Sequence, residues 1–260
     1  MKSDADLTES NLYNNKYAAG YRSELSGYEI ARMEAINHFL EKVVLVENPN
    51  RVLDYGAGRG LHVPLWKNTF PAAELFLCDV SSVAMQNCID EYSDLSHHYR
   101  LIEGNRADFQ DGFFDLIVSV EVMEHVSDLS AYISDIFRLL RPGGMFVFTT
   151  PCANLCSVEH FYSLLTGKID PTEEGYRRWS WEDPTHLRRL RSREMQRHLI
   201  SAGFSRTTFR FRSHLFSFLC TYLPPRNKFR RIRNWFMTLD YKLFRRLPNG
   251  ASILGAAGKT

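Results

Sequence analysis

Three side chains able to move a proton or hold an ion stand together at Glu121, Glu124 and His125, directly after the apolar run Phe113 to Val120, FFDLIVSV. A run apolar almost throughout predicts a central parallel strand buried on both faces. Ligands of open α/β sheets sit in the crevice beyond the carboxyl ends of such strands, so the trio arrives where chemistry is expected. If the chain turns helical after Val120, positions 121, 124 and 125 share one face, and two carboxylates converge with an imidazole. A second histidine, His186, closes the segment Asp183-Pro184-Thr185-His186. It lies in a stretch, Pro151 to Arg189, without clear periodicity. Long irregular stretches inside compact domains are usually functional or disordered, and Trp179 and Trp181 favour a lid over an acceptor site. Imidazole titrates near neutral pH, which makes His125 and His186 candidates for a base, with Glu124 beside them.

A second constellation lies upstream in Val52 to Gly60, VLDYGAGRG, where an apolar pair runs into Asp54 and then into Gly56, Gly58 and Gly60. This predicts a buried strand ending in a tight turn whose backbone can lie against a ligand. A dinucleotide site wants G-x-G-x-x-G facing a pyrophosphate. The spacing here is G-x-G-x-G, and the preceding acid opposes a pyrophosphate but suits a ligand carrying an ammonium group. A nicotinamide-dependent oxidoreductase is disfavoured on that ground.

The elements that must position these groups follow in order. Tyr28 to Val46 carries apolar residues at helical spacing and should pack beside the first strand. Leu61 to Asn68 is expected as the first crossover helix and Ala73 to Cys78 as the second strand, ending in Asp79. A carboxylate there can accept both hydroxyls of a nucleoside ribose, or it can cap the helix that begins at Ser81. Tyr99 to Glu103 should be a short third strand, followed by Gly104-Asn105-Arg106-Ala107-Asp108. Helix Leu129 to Leu140, strand Met145 to Thr149, helix Ser192 to Ala202 and strand Thr207 to Arg212 come next. A last strand is expected at Ala251 to Ala257.

DYGAGRG resembles the first motif of class I S-adenosylmethionine-dependent methyltransferases, and Asp79 and LLRPGG (139–144) before an apolar strand extend the match. The resemblance spans Val52 to about Gly203. It implies an α/β fold with a doubly wound, mostly parallel seven-stranded sheet, Rossmann-like, whose sixth and seventh strands form an antiparallel hairpin. It also implies S-adenosylmethionine as cofactor. Asp54 is then assigned to the methionyl end, Gly56, Ala57, Gly58 and Gly60 to the cradle, Asp79 and Val80 to the ribose, and Val120 to the strand end beside it. The family usually shows Gly-Asp-Ala where this chain has Gly104-Asn105-Arg106-Ala107-Asp108, which leaves Asn105 and Asp108 as alternatives for the adenine amino group. Arg32 occupies a place where ubiquinone-type O-methyltransferases have an arginine near the cofactor carboxylate; a solvated surface arginine is the competing reading. Glu121, Glu124 and His125 match the E-x-x-E-H metal motif of small-RNA 2′-O-methyltransferases and ubiquinone-pathway O-methyltransferases, with His186 where the RNA enzymes have a second histidine. That likeness implies Mg²⁺ or Mn²⁺ holding acceptor hydroxyls. Many similar small-molecule enzymes have the same Glu-His pair shaping the pocket without an established metal.

Composition bounds the rest. With 260 residues and 44% apolar content the chain can bury a full α/β core. The expected organisation is an N-terminal helical segment (1–47), a core (48–213) with an acceptor-site insertion (151–190), a basic helical insertion (214–249) and a final strand (250–260). MKSDADLTESN is polar and acidic, so no secretory leader is expected and a cytoplasmic protein is. Five cysteines without C-x-x-C pairs suit reduced thiols, and Cys152-x3-Cys156-x3-His160 is too sparse for a zinc clip. Eleven Lys or Arg against one acid, Asp240, lie between Arg206 and Arg246. There Phe229, Ile232, Phe236, Leu239, Leu243 and Leu247 recur every three or four residues, which predicts an amphipathic helix with a cationic face. It could cover the domain's own surface, attach to an anionic membrane or a lipid-linked substrate, or bind RNA. The expected activity is methyl transfer to a hydroxyl of a small molecule, sugar, lipid-linked glycan or quinone-like acceptor. An RNA 2′-O-methyltransferase and a noncatalytic interaction module are the alternatives.

Overall fold

The structure, a computed structural model, describes residues 4–21, 26–44, 48–220 and 230–260. Apolar strands alternating with helices can bury both sheet faces only in a three-layer sandwich, and that is the architecture found. The strands are β1 (Arg51–Tyr55), β2 (Glu74–Asp79), β3 (Tyr99–Glu103), β4 (Arg106–Ala107), β5 (Phe114–Val120), β6 (Leu140–Pro151), the hairpin pair β7 (Ile169–Pro171) and β8 (Arg177–Trp179), β9 (Arg206–Arg212) and β10 (Ser252–Gly258). The main sheet runs β4-β3-β2-β1-β5-β6-β10-β9. β1, β2, β3, β5 and β6 are parallel neighbours, and β10 is antiparallel to both β6 and β9.

The sheet is the Rossmann-like one expected, with eight strands rather than seven. The extra edge strand β4 folds back antiparallel on β3. Gly104 and Asn105 both take positive φ, 58° each, which makes the two-residue turn that joins a tight hairpin.

Alternation along the strands divides the core. Leu53, Tyr55, Ile117, Phe146 and Phe148 face helices α5 (Leu129–Leu139) and α7 (Ser192–Ser201). Val52, Leu77, Leu116, Val118 and Val147 face α2 (Gly27–Phe39) and α3 (Val63–Thr69). Helix α4 (Ser82–Glu91) follows β2, with the Ser81 hydroxyl accepting the Ala84 N–H at 3.1 Å as its cap.

The polar N-terminus forms a helix, α1 (Asp4–Ala18), inside the segment expected as helical over 1–47. Two outcomes differ from the sequence reading. The irregular stretch after β6 holds helix α6 (Val158–Leu165) and the β7–β8 hairpin. The basic insertion contains α8 (Leu215–Cys220) and α9 (Arg230–Phe244). α9 buries Met237, Asp240 and Tyr241 while Ile232 and Leu243 are exposed, so its inward face is rotated from the one the apolar spacing predicted; Phe229 lies outside the described residues. The rotation follows from α2, which packs Ala31 and Tyr28 against Met237 and Phe236 and binds Asn234 and Thr238 through Glu34.

Candidate active site

The glycine turn is fixed by its own backbone. Gly56 and Ala57 donate to the Cys78 carbonyl at 2.8 and 3.0 Å, Gly58 donates to Asp79 Oδ2 at 2.8 Å, and the Tyr99 hydroxyl donates to the Gly58 carbonyl at 2.6 Å. Gly56 and Gly58 have φ of +82° and +55°, and a Cβ on them would fall on Val122 and on the Tyr17 hydroxyl respectively. Only glycine meets both demands. Asp79 also accepts the Ser81 N–H at 3.0 Å, so two backbone donors aim its carboxylate.

Above this floor is a cleft of about 690 Å³, its open mouth included, at the carboxyl ends of the strands. Asp79, Val80 and Asn105 line one end, Glu121 and His125 the other, and Tyr13, Tyr17 and Tyr21 form the roof. The roof is pinned on two sides. Asn14 Oδ1 accepts from the Ser81 hydroxyl at 2.8 Å and the Val83 N–H at 3.3 Å, and Ser10 donates to the Val80 carbonyl. Lys16 reaches Thr185 Oγ1 at 3.1 Å and Asp183 at 3.4 Å. Sequence reasoning expected a helical segment over 1–47 but not its place over the cleft, although tyrosines at 13, 17 and 21 carry the four-residue spacing that could have signalled one shared face.

Several expected residues lie off the cleft wall, Glu124 and His186 among them, so that of the histidine cluster His125 is the member on the wall. Asp54 is buried beneath the turn, where its Oδ2 accepts the Trp66 indole N–H at 2.7 Å and its Oδ1 has no donor. Burial pushes its carboxyl up to about 7. Asp54 faces α3 because it shares Val52's side of the strand, opposite Leu53 and Tyr55. Ala57, Gly58, Gly60 and Val120 form buried support. Asn105 is on the wall; Asp108, past the β3–β4 turn, is exposed and directed elsewhere. Arg32 is 5% exposed, which excludes the solvated reading, and pairs with Glu121 Oε2 at 3.4 Å.

The E-x-x-E-H trio does not lie on one helix face. The chain takes a left-handed conformation at Glu121 (φ 54°) and continues as turns. A non-glycine residue there is strained, as is common at functional sites. The bend parts the carboxylates: Glu121 accepts from Thr149 Oγ1 at 2.9 Å and meets Arg32, whereas Glu124 accepts from Thr150 Oγ1 at 3.0 Å. Glu121 thus leaves the expected ligand set. Glu124, His125 and His186 remain together, with one donor atom from each within 4.8 Å of the others.

Both imidazoles are oriented by their Nδ1 atoms. His125 Nδ1 lies 3.1 Å from the Thr185 carbonyl and His186 Nδ1 lies 2.9 Å from Glu182 Oε2. His125 Nε2 lies 3.9 Å from Glu124 Oε1. Glu124 Oε1 is buried without a hydrogen-bond partner. Burial, aided by Glu121 and opposed by His186, pushes the Glu124 carboxyl up to about 7. For His186, burial opposes the charged form, but the Glu182 hydrogen bond and the charges of Glu124 and Glu182 prevail and raise it above the usual histidine range.

A parallel sheet reversed at its last strand, with a glycine turn after β1 and an acid ending β2, defines a class I S-adenosylmethionine-dependent methyltransferase fold. Residues 22–208 match the family described as Methyltransferase domain, and the chain belongs to it. A Mycolicibacterium smegmatis protein named as an S-adenosylmethionine-dependent methyltransferase is 28% identical over 155 residues, 59% of this chain and 51% of its own length. The ubiquinone biosynthesis O-methyltransferase of Paramagnetospirillum magneticum is 33% identical over 100 residues, 38% of this chain and 39% of its own. These matches span about half or less of the relatives' lengths, and other curated relatives are named as C-methyltransferases. The structure of a complex between the Haloferax volcanii Trm112 methyltransferase activator and a methyltransferase superposes with a TM-score of 0.61 at 18% identity, covering 95% of this chain and 96% of that one.

Proposed function

We propose that the chain transfers a methyl group from S-adenosylmethionine to a hydroxyl of an acceptor that enters beside Glu124, His125 and His186. The observation that carries this reading is the polarity of the cleft. Asp79 and Asn105, suited to a ribose and an adenine amine, stand at one end, and the proton-accepting cluster adjoins the other. The glycine turn suits a ligand laid against its backbone, since Gly56 lines the cleft without a side chain at a φ of +82°.

As the acceptor oxygen forms its bond to the methyl carbon, the carbon–sulfur bond breaks and the sulfonium becomes a neutral thioether. The protein aligns the two centres and receives the hydroxyl proton. Glu124, with a carboxyl near neutrality, and the Nε2 atoms of His125 and His186 are the receiving groups. A base cluster of this kind favours oxygen, since a hydroxyl must lose its proton during transfer.

The same three side chains fit a divalent cation, because one donor atom from each lies within 4.8 Å of the others and buried Glu124 Oε1 accepts no hydrogen bond. Two nitrogen donors suit Mn²⁺ better than Mg²⁺. When bound, such an ion would lower the pKa of an acceptor hydroxyl. Calorimetry with S-adenosylhomocysteine and labelled-methyl transfer into extract fractionated into lipid, glycan, small-molecule and RNA pools test the reading; no binding and no labelled pool overturn it. Chelation should abolish transfer and Mn²⁺ restore it, and indifference to chelator rejects the metal.

Among the described residues no helix is long and apolar enough to cross a membrane. Trp235, Ile232 and Leu243 are exposed on α9 beside Arg231, which supports peripheral attachment to an anionic bilayer from the cytoplasmic side. Flotation with anionic vesicles should be lost on changing Arg231 and Arg233 to Glu; a wild-type chain that stays in solution rejects attachment.

A further inference from the structure

The carboxyl edge of the sheet holds a second cluster of buried charge that methyl transfer as described leaves unused. Arg32 and Arg212, 5% and 3% exposed, both pack on Tyr28, their guanidinium carbons 5.1 and 4.5 Å from the ring centroid. Arg32 reaches Glu121 through Nη2, while its Nε and Nη1 are buried with no acceptor. Arg212 makes one long contact, 3.5 Å, from Nη2 to the Tyr28 carbonyl, and its Nη1 is likewise buried and unpaired. Ser252 is the cross-strand partner of Arg212, so the two side chains leave the same sheet face as neighbours. Its buried hydroxyl also has no partner.

Unpaired buried guanidinium groups are costly to retain. Here Glu121 pairs with Arg32 and reaches Arg212 only as a longer-range attraction. Asp240 attracts Arg212 from a distance, but its oxygens accept from His214 Nδ1 and from the backbone N–H groups of His214 and Ser217. Four buried donor atoms on Arg32, Arg212 and Ser252 therefore await an acceptor, and the excess charge says it is an anion. Glu121 lines the cofactor cleft; Arg32, Arg212 and Ser252 do not.

We propose that Arg32, Arg212 and Ser252 form a subsite for a carboxylate or phosphate group carried by the methyl acceptor, behind Glu121 from the cofactor. The subsite takes the word acceptor from the methyl-transfer reading. Guanidinium forks match both anions bidentately, so the cluster narrows the substrate to a hydroxylated acid or a phosphorylated alcohol, and Arg212 becomes a specificity determinant.

The test uses the full chain saturated with S-adenosylhomocysteine and titrated with malonate or inorganic phosphate, ionic strength held constant with chloride. A saturable rise in melting temperature is expected, and the more effective anion identifies the group. Arg212→Met should weaken that response about tenfold or more while S-adenosylhomocysteine affinity, read by calorimetry, stays within about twofold. Ser252→Val removes a donor without touching charge and should weaken the response about threefold; it decides the matter if Arg212→Met does not fold. The proposal is overturned by a wild-type response no larger than chloride's, by variants that respond like wild type, or by S-adenosylhomocysteine affinity falling in step with the anion response, which would give the guanidiniums to the cofactor. Should the chain bind no S-adenosylhomocysteine, the methyl-transfer reading fails, and the same titration without it still decides whether the anion subsite exists.

Discussion

Asp54 under the glycine turn and Glu124 beside the histidines are both buried carboxyls pushed up to about 7, yet they belong to regions built in opposite ways. The floor beneath the cleft is the more local: most of its bonds join the turn after β1 to the end of β2, Tyr99 reaches in from β3, and Asp54 serves it through Trp66 only 12 residues away. The acceptor wall is assembled over long separations, with His125 held by Thr185 from 60 residues on. The carboxyl with an orphaned oxygen is buried in both regions: in the first it meets the scaffold, and in the second it faces two imidazoles. Burial and a shifted pKa alone therefore do not mark a catalytic group; what faces the orphaned oxygen does.

The largest effects should separate the two regions. Gly58→Val forces a side chain into a positive φ and onto Tyr17, and S-adenosylhomocysteine affinity should fall about 100-fold or more by calorimetry. Glu124→Gln should leave that affinity within about twofold and lower kcat about 100-fold. If both variants fail in binding, or both in turnover alone, the division is wrong.

A smaller effect distinguishes the carboxyls by pH. Each has a folded-state pKa above its unfolded one, so between about pH 4 and 7 the folded chain holds protons the unfolded chain has lost. Stability from each is present at the acid end of that window and falls as pH rises, by up to about 1.4 kcal/mol per unit. Asp54→Asn and Glu124→Gln should each flatten melting temperature against pH across it. Bound Mn²⁺ should cancel the slope due to Glu124 and leave that due to Asp54. The smallest effect tests the roof: Asn14→Ala, losing the bonds to Ser81 and Val83, should weaken S-adenosylhomocysteine about threefold.

The same contrast explains what the sequence made legible. The floor could be read because turn chemistry is local: alternate glycines, an acid ending the next strand and an apolar run for β5 each declare themselves within a few residues. The E-x-x-E-H reading failed in part because one backbone angle at Glu121, set by its bonds to Thr149 and the ion pair with Arg32, sends the two carboxylates to different neighbours. Asp54 was assigned to a ligand, but strand alternation turns it toward α3. The roof was overlooked because α1 is polar overall and is held by contacts with Ser81, Val83 and Thr185, far away in the chain. α9 was expected from its spacing, yet which of its faces turns inward was decided by α2.

The two-sided anchoring of α1 has a kinetic corollary. One helix of 15 residues grips the α4 cap through Asn14 and the Asp183–Thr185 loop through Lys16. Swinging it aside would sever both grips in a single movement and unclamp the segment that orients His125. On the methyl-transfer reading, donor exchange and acceptor exchange would then be mechanically geared.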